Sequence, residues 1–385
     1  MNICHVSPHL PPDQGANAIL PAELGRWAHE RGDAVTFVAH PPVQGREAVP
    51  LDAGRVWRVP WRERTSGLAR ALRIGSWSNA RAISRTLDSA AASADLLHIH
   101  SNGLIVEAAA AWAARRGKPY VLTLYGTEIW HYRRRWPVDP FARAYRRAAR
   151  VTFYSGRLLD RARTLGLDRP GLSVVYPTVN RAFVPVDDRT RTAWRAQLGI
   201  EEPLVVLNVK RLHELAGQRY LIDAFAKVTR GRSDVRLVFC GTGPLRQELE
   251  AQARDAGIAS RVTFTGLLPN VEIARYAAVA DIFVLPSLLE ALPTVAVEAL
   301  ACGTPVLSAD HPGGLELHEI FGDDVPIVPR RNVDGLASAL AEVIAKPWRV
   351  RPGTLDLVRS HFGADAVRAA YDAVYAAARG RAISS

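Results

Sequence analysis

The sequence predicts an α/β protein made of two doubly wound, parallel-sheet domains. Three observations predict it. At 385 residues the chain exceeds what one hydrophobic core ordinarily serves, so two domains of roughly 150–200 residues are expected. Short apolar runs alternate with helical patterns from end to end, which is the signature of βαβ units. That alternation breaks once, in the charged, Pro-containing stretch Arg181–Arg191, and then starts again.

The first half opens with a strand at Ile3–Ser7, a Pro/Gly-rich turn at Pro8–Ala16 and a helix at Ala18–Arg31. The helix carries its apolar positions at Ile19, Leu20, Leu24 and Trp27. Strands follow at Ala34–Ala39, Leu96–His100 and Tyr120–Leu124, the last two separated by an Ala-rich helix from about Leu104 to Arg116. Val151–Tyr154 and Ser173–Val175 complete this half, and Tyr176-Pro177 leads into the break. The second half places strands at Leu204–Val209, Arg236–Cys240, Val262–Thr265, Ile282–Leu285, Pro305–Ser308 and Val325–Val328, each followed by a helix-like segment. A turn near Pro352-Gly353 precedes a last helix at Ala364–Ala378. No residue-level repeat links the halves.

Composition narrows the class. An apolar fraction of 48% with 23% charged residues is ordinary for a soluble globular protein. No apolar run reaches the roughly 18 residues that span a bilayer: Glu107 interrupts Gly103–Ala114, and Asp281, Glu290 and Glu298 interrupt Val279–Val306. Met1-Asn2-Ile3-Cys4-His5-Val6 shows no basic n-region, so a cytoplasmic location is expected. Cys4, Cys240 and Cys302 lack metal-ligand spacing and read as small buried thiols of a reducing compartment. No metal site is expected.

The net charge of +11 rests almost wholly on arginine, since Lys118, Lys210, Lys227 and Lys346 are the only lysines. Basic residues cluster from Trp57-Arg58 to Arg64, in Arg133-Arg134-Arg135-Trp136, and from Arg143 to Arg150. Such stretches suit an anionic membrane surface or an acidic ligand, and equally a solvated positive face with snorkelling stems. Nothing resembles a nucleic-acid-binding motif, so no nucleic-acid partner is expected.

In open α/β sheets, ligands bind beyond the carboxyl ends of the strands, so the residues just after each strand carry the functional reading. Gly241-Thr242-Gly243-Pro244-Leu245 begins like a dinucleotide fingerprint, but Arg246 holds the third glycine position and no ribose-binding acid follows. A nicotinamide or flavin cofactor is therefore not expected. Gly15, in Asp13-Gln14-Gly15-Ala16-Asn17, lets backbone approach a phosphate at a helix N-terminus. Lys210-Arg211 sits at a strand's carboxyl end, where fixed cations would stabilise a departing diphosphate.

The sharpest element is Glu290 and Glu298, separated by seven residues, with Glu290 in a post-strand loop and Glu298 in the second turn of a helix starting near Pro293. Backbone N–H groups of Leu292, Thr294 and Val295 would lie at that helix start. Glu298, among Val295, Val297, Leu300 and Ala301, sits in an apolar place for an unpaired charge. An ionised Glu there can accept both hydroxyls of a ribose.

Taken in order, these stretches resemble glycosyltransferase family 4, retaining enzymes of the GT-B fold. The matching residues are the opening strand with its Gly loop, Thr123-Leu124-Tyr125-Gly126-Thr127-Glu128, Val209-Lys210-Arg211-Leu212, Gly241-Thr242-Gly243-Pro244-Leu245, and Ala280-Asp281-Ile282-Phe283-Val284-Leu285-Pro286-Ser287. The series ends with the Glu-x7-Glu element and Ala301-Cys302-Gly303-Thr304-Pro305-Val306. The resemblance covers nearly the whole chain and is strongest from Leu204 to Leu340.

It implies two Rossmann-like domains facing a central cleft. Residues 1–183 would bind the acceptor, residues 184–363 the nucleotide-sugar donor, and a C-terminal helix within 364–385 would cross back to the first domain. The donor would be a UDP- or GDP-sugar, a substrate rather than a cofactor. Glu290 would lie beside the donor sugar, Glu298 would hold the ribose and Arg211 the diphosphate. Lys210, Gly243, Leu292, Thr294 and Val295 would complete the donor site, Leu267–Pro269, centred on Leu268, would meet the base, and Gly15 would approach the distal phosphate. Tyr125, Glu128 and Asn17 would face the acceptor.

The chain departs from the family twice. Ala216 stands where a lysine usually follows the arginine by five positions, leaving Lys210 or Arg219 to supply the charge. Tyr125 stands where many members carry histidine, and a phenol is no base near pH 7 without a large pKa shift.

The expected function is sugar transfer to a small-molecule or lipid-linked acceptor, in natural-product, glycolipid or polysaccharide biosynthesis. The alternatives are a non-catalytic binding relative, or an epimerase or phosphorylase on the same fold. The stretch Trp57–Trp77, with Trp61, Arg62, Arg64, Leu68, Leu72 and Arg73, fits either an amphipathic helix on an anionic membrane or an ordinary domain helix.

Overall fold

In the first half, β1 (Asn2–Ser7), α1 (Ala16–Glu30), β2 (Ala34–Ala39), β3 (Arg55–Arg58), α2 (Ile74–Ala90) and β4 (Leu96–His100) lead to α3 (Leu104–Arg115). β5 (Tyr120–Leu124), α4 (Thr127–Trp130), α5 (Pro140–Arg147), β6 (Arg150–Phe153), α6 (Gly156–Thr164) and β7 (Leu172–Val174) complete it. The second half begins with α7 (Asp188–Gln197), β8 (Leu204–Val209), α8 (Gln218–Val228), β9 (Val235–Cys240), α9 (Arg246–Asp255), β10 (Val262–Gly266) and α10 (Asn270–Val279). It continues through β11 (Ile282–Leu285), α11 (Thr294–Ala301), β12 (Val306–Ala309), α12 (Pro312–Phe321), β13 (Ile327–Val328), α13 (Val333–Ala345), α14 (Pro352–Phe362) and α15 (Ala364–Arg379). The structure is a computed structural model that describes all residues except 14, 43–46, 61–73, 136 and 381–385. Trp61, Arg62, Arg64, Leu68, Leu72 and Arg73 of the stretch read as a candidate membrane helix, and Trp136, lie outside the described residues. No helix among the described residues is long and apolar enough to cross a membrane.

The chain divides into two compact units, Met1–Pro177 with the chain from Val367 onward, and Thr178–Ala366. Each holds one sheet with all strands parallel. The first sheet runs β3-β2-β1-β4-β5-β6-β7, the second β10-β9-β8-β11-β12-β13. Counted from its own first strand, the second sheet repeats the 3-2-1-4-5-6 order of the first. Both are doubly wound, and each reverses direction once, between β1 and β4 and between β8 and β11. At such a reversal the connections leave to opposite sides and a crevice opens beyond the carboxyl ends.

Strands covered on both faces carry continuous apolar runs, as Val205–Leu207 and Ile282–Leu285 do. The first sheet departs from this on one face. His5 and Ser7 of β1, His98 and His100 of β4, Thr123 of β5 and Thr152 of β6 are all buried. Register sets them side by side, pairing His5 with His98, His100 with Thr123, and Thr123 with Thr152. The last helix covers that polar stripe. Tyr375 Oη lies 2.8 Å from His98 Nδ1, Arg368 Nη2 donates to the Trp27 carbonyl at 3.0 Å, and Asp372 pairs with Arg31. α15 from Val367 therefore belongs to the first unit, whose buried imidazole it supplies with a hydrogen-bond partner.

Three elements differ from the sequence expectation. Pro352-Gly353 was expected as a turn but opens α14, with Pro at N1, where its missing N–H costs nothing. The break before α15 falls at Gly363, in extended backbone. The stretch read as irregular up to Arg191 contains the start of α7, capped by Asp187 accepting from Thr190 N at 2.7 Å. That helix buries no residue, so it carries no apolar stripe to read, and Arg191 and Arg195 instead tie it to Asp281 at 2.5 and 2.7 Å. β3 was not expected at all. It is a partly buried edge strand of four residues.

Candidate functional site

At the reversal of the second sheet, β8 ends at Val209 and presents Lys210 and Arg211. Their loop is seated on the loop after β9, with Lys210 N donating to the Cys240 carbonyl and Leu212 N to the Thr242 carbonyl, both at 3.0 Å. Gly243 makes this seating possible, because a Cβ there would stand 2.1 Å from the Leu212 carbonyl oxygen. The glycine expected at the donor is thus also what holds the loop carrying Arg211.

On the other side of the reversal, the loop after β11 is fixed at three points. Leu288 N donates to the Leu215 carbonyl at 2.8 Å, Gly313 N to the Glu290 carbonyl at 3.0 Å, and Arg330 Nη1 to the Leu288 carbonyl at 3.1 Å. The Glu290 carboxylate then meets Lys210 Nζ at 2.6 Å, with the side chains 16% and 22% exposed. An ion pair bridges the two loops that the topology forces apart. Arg211 is exposed and makes no ion pair among the described residues.

Glu298 lies in the second turn of α11, partly buried. Its carboxylate has no hydrogen bond or ion pair among the described residues, and burial pushes its pKa up to about 7. Pro293 caps α11 without a side-chain hydrogen bond, and Leu292 beside it is buried. The N–H groups of Thr294 and Val295 belong to the first turn, which has no intrahelical acceptors. Once ionised, a carboxylate with no donor among the described residues, four residues into a helix, can take hydroxyl hydrogen bonds, and the helix N-terminus can take an anion.

The remaining expectations in this unit are placed as follows. Leu268 follows β10, the edge strand, two strands from Lys210, in a loop where Leu267 is 66% exposed. Ala216 is fully buried in the short turn Glu214–Ala216. Arg219 is bound to Glu214 at 2.6 Å. Both cations offered in place of the absent lysine therefore already have carboxylate partners.

Sequence reading missed two histidines here. His311, at the carboxyl end of β12, is buried and accepts from Gly314 N at 2.9 Å; burial, then the Lys210 charge, push its pKa down to about 3. His213 is lowered by the same two causes in the same order. The rule that singled out Lys210, a position just beyond a strand, would have found His311. The Ser287 hydroxyl in the loop after β11 is buried without a partner among the described residues.

The reversal of the first sheet is differently furnished. Gly15 has φ 116°, a region that favours glycine, and stands before α1 with its carbonyl accepting from Ala18 and Ile19. Asn17 accepts from Ser7 Oγ through its carbonyl at 2.7 Å. Tyr125 Oη lies 2.8 Å from His100 Nδ1, and His100 Nε2 lies 3.1 Å from His5 Nδ1. Burial raises the Tyr125 phenol well above 10, so it is no base at neutral pH. Glu128 is buried and accepts from Ser101 Oγ at 2.6 Å, Gly126 N at 2.7 Å and Tyr125 N at 3.2 Å. It fixes the turn that presents Tyr125.

No metal-ligand cluster was expected from the sequence, yet His5, His98 and His100 offer ring nitrogens within 4.8 Å of one another. Their sequence separation hid the grouping. Burial holds all three neutral, His5 down to about 3 and the others well below 6.5. Tyr375, Thr123, Tyr125 and the histidines themselves occupy the nitrogens, and only His5 Nε2 lacks a partner among the described residues.

Comparison with known proteins agrees with this architecture. Residues 15–178 match the glycosyl transferase 4-like domain family, and residues 190–352 match the family described as glycosyl transferases group 1. The 2-deoxystreptamine N-acetyl-D-glucosaminyltransferase of Streptomyces fradiae is 30% identical over 75% of this chain and 72% of that protein. A GDP-mannose-dependent phosphatidylinositol monomannoside mannosyltransferase of Mycolicibacterium smegmatis is 31% identical over 56% of this chain and 59% of that protein. Among solved structures, sucrose-phosphate synthase from Thermosynechococcus elongatus superposes with a TM-score of 0.76 over 97% of this chain and 98% of that one, at 21% identity. HepE of Anabaena, in complex with UDP, gives 0.78 over 98% and 100% at 17% identity. The family matches are those of a sugar-transferring enzyme. The chain belongs to the GT4-type glycosyltransferases, which have the GT-B fold.

Proposed function

We propose that this glycosyltransferase is a retaining enzyme that moves a sugar from a UDP- or GDP-sugar to an acceptor bound by its first unit. The observation that carries the reading is the Lys210–Glu290 ion pair across the reversal of the second sheet, with Arg211 beside it lacking a carboxylate among the described residues. Fixed charge at this point serves a donor whose leaving group gains negative charge as the glycosidic bond breaks. Arg211 and Lys210 hold the diphosphate, and the N–H groups of Leu292, Thr294 and Val295 assist at the start of α11. Glu298 accepts the ribose hydroxyls, and the loop at Leu268 meets the base.

Glu290 stands beside the donor sugar and keeps Lys210 in place. The acceptor hydroxyl attacks the anomeric carbon on the face the phosphate leaves, and a phosphate oxygen takes its proton, so the anomeric configuration is kept. This chemistry calls for no resident cofactor or metal. Tyr125, held by His100 and the Glu128 turn, donates to the acceptor as a neutral phenol. Gly15 and the start of α1 form the anion-facing element of the first unit. The named relatives fit acceptors of two kinds, an aminocyclitol of natural-product synthesis or a glycolipid.

A thermal-shift screen of UDP, GDP, ADP, CDP and TDP tests the donor assignment. A ligand at about 100 times its Kd stabilises by roughly 2.7 kcal/mol. The expected result is a clear shift with UDP or GDP that Arg211→Ala abolishes. Absence of any shift would remove the donor site. Product anomer analysis then tests retention, and sugar-nucleotide isomerisation without acceptor would mark an epimerase instead.

A further inference from the structure

The first unit carries a second charged surface that the donor chemistry does not use. Asp139 caps α5 by accepting from Ala142 N at 2.9 Å, and the helix buries Phe141, Ala142, Ala144 and Tyr145. Arg143, Arg146 and Arg147, spaced i, i+3 and i+4, are exposed and share the opposite face. With Arg134 and Arg135 of the preceding loop they line a cavity of about 310 Å³.

The charges in this cavity do not balance. Its one carboxylate among the described lining residues, Asp139, is occupied by Ala142 N, by the Tyr132 hydroxyl at 2.8 Å and by Arg135 N at 3.1 Å. Arg135 reaches Glu107 at 3.4 Å. Arg134, Arg143, Arg146 and Arg147 make no ion pair among the described residues. The helix macrodipole accounts for cations at Arg146 and Arg147, in the last turn. It gives nothing to Arg134 and disfavours Arg143 near the positive end. Guanidinium groups this close repel one another unless an anion lies between them. Their planar donor forks match a phosphate group.

A second cavity, of about 430 Å³, shares the wall formed by Arg134, Arg135 and Asp139. Its lining includes Asn102, Thr127 and Glu128, at the carboxyl ends of β4 and β5. The Asn102 and Thr127 side chains suit hydroxyls, and Arg133 continues the cationic wall into this cavity.

We infer that the arginine cavity binds a phosphate group carried by the acceptor, whose hydroxyl-bearing part enters the adjoining cavity. The inference rests on the reading that the first unit takes the acceptor. The phosphate can belong to a lipid headgroup or to a free phosphorylated acceptor, and the chemistry that recognises it is the same.

The test compares the full-length wild type with R143Q/R146Q/R147Q, since glutamine keeps helix propensity while removing three charges. Both are first saturated with the nucleotide diphosphate they bind, so that the donor site takes no further phosphate. Glycerol phosphate is titrated against glycerol at constant ionic strength set with chloride. Co-sedimentation is measured with phosphatidylglycerol and with phosphatidylcholine vesicles.

The expected result is a phosphate-dependent interaction at least tenfold weaker in the variant, with nucleotide affinity unchanged. Binding of glycerol phosphate in solution marks a free phosphorylated acceptor, and binding only to phosphatidylglycerol vesicles marks a lipid headgroup. Equal binding by wild type and variant, or no preference for phosphate over its uncharged control, overturns the inference. A wild type that binds no nucleotide diphosphate overturns the glycosyl-transfer reading instead, a separate result. Should the triple variant unfold, Arg143→Gln alone must shift binding in the same direction.

Discussion

The two sheets reverse at equivalent points, and the two reversals hold opposite chemistry. Between β1 and β4 the space is filled by buried, neutral groups: His5, His98 and His100, hydrogen-bonded to one another, to Thr123 and to Tyr125 and Tyr375. Between β8 and β11 stand a Lys210–Glu290 ion pair, an Arg211 with no ion pair among the described residues, and a carboxyl held up near 7. One topology opens both crevices, and the residues at the strand ends decide what becomes of each. Full burial forces imidazoles to stay uncharged and to satisfy one another. Partial exposure lets the second crevice keep its charges at lower cost, ready for an anion. Topology locates the site, and side chains decide its use.

Arg211→Ala is the largest expected effect and the most direct attempt to break the comparison. Loss of one fixed donor from a charge-stabilising site lowers kcat by about 10²–10³, read in a steady-state transfer assay. The melting temperature should hardly move, because Arg211 is exposed and bound to no carboxylate among the described residues. Glu290→Ala should lower turnover by about tenfold or more, since it also frees Lys210 from its place. Unchanged kinetics in both variants would mean that the charged reversal is no donor site.

Glu298 sharpens the contrast through pH. Two hydroxyl hydrogen bonds to an ionised carboxylate are worth about 1.5–3 kcal/mol each, so Glu298→Ala should weaken nucleotide diphosphate binding by at least about tenfold. Hydroxyl donors favour the ionised form, so binding should tighten between pH 6 and 8 and release a proton, seen by calorimetry in buffers of different ionisation enthalpy. Stability runs the other way. Between 4.5 and about 7 the folded chain keeps a proton on Glu298 that the unfolded chain has lost, so stability falls as pH rises through that window. Glu298→Gln should remove both dependences. If affinity stays flat with pH in the wild type, Glu298 is not at the ribose.

The parts of this legible in the sequence were local ones. Apolar runs bounded by Gly and Pro marked the strands, and a position just beyond a strand singled out Lys210, Arg211 and Glu290. What stayed hidden depends on register or on distance along the chain. The pairing of Lys210 with Glu290 follows from which strands are neighbours, and so does the meeting of His5 with His98 and His100. α7 escaped because it is held by Arg191 and Arg195 on Asp281 rather than by an apolar face. Pro352 misled because proline marks a helix start as often as a turn, and only the chain's path distinguishes them.

His98→Leu probes the neutral reversal. It strands Tyr375 Oη and leaves Thr123 Oγ1 with Thr152 Oγ1 as its remaining hydroxyl partner, and an unsatisfied buried group costs about 1–3 kcal/mol, to be read from denaturant unfolding. Transfer by the remaining folded protein should be retained. A loss of transfer at unchanged stability would give the buried histidines themselves a catalytic part and end the contrast.

The effect that is smallest at neutral pH falls on the acid limb. Burial depresses the pKa of His5 to about 3, while an unfolded imidazole protonates near 6.5. In that interval the unfolded chain binds a proton the folded chain refuses. His5 therefore contributes stability that is complete above pH 6.5 and is lost as pH falls, at up to about 1.4 kcal/mol per pH unit. His98 and His100 add to the same limb, burial being the first cause and neighbouring histidine charge the next. His5→Phe should flatten the acid limb of unfolding free energy against pH by one such slope, with little change at pH 8. The two reversals thus make opposite demands on pH, acid opposing the first and base opposing the second, through groups that differ in burial and in sign. An unaltered acid slope in His5→Phe would mean that the first reversal tolerates charge, and the difference between the two would then lie in their hydrogen bonds alone.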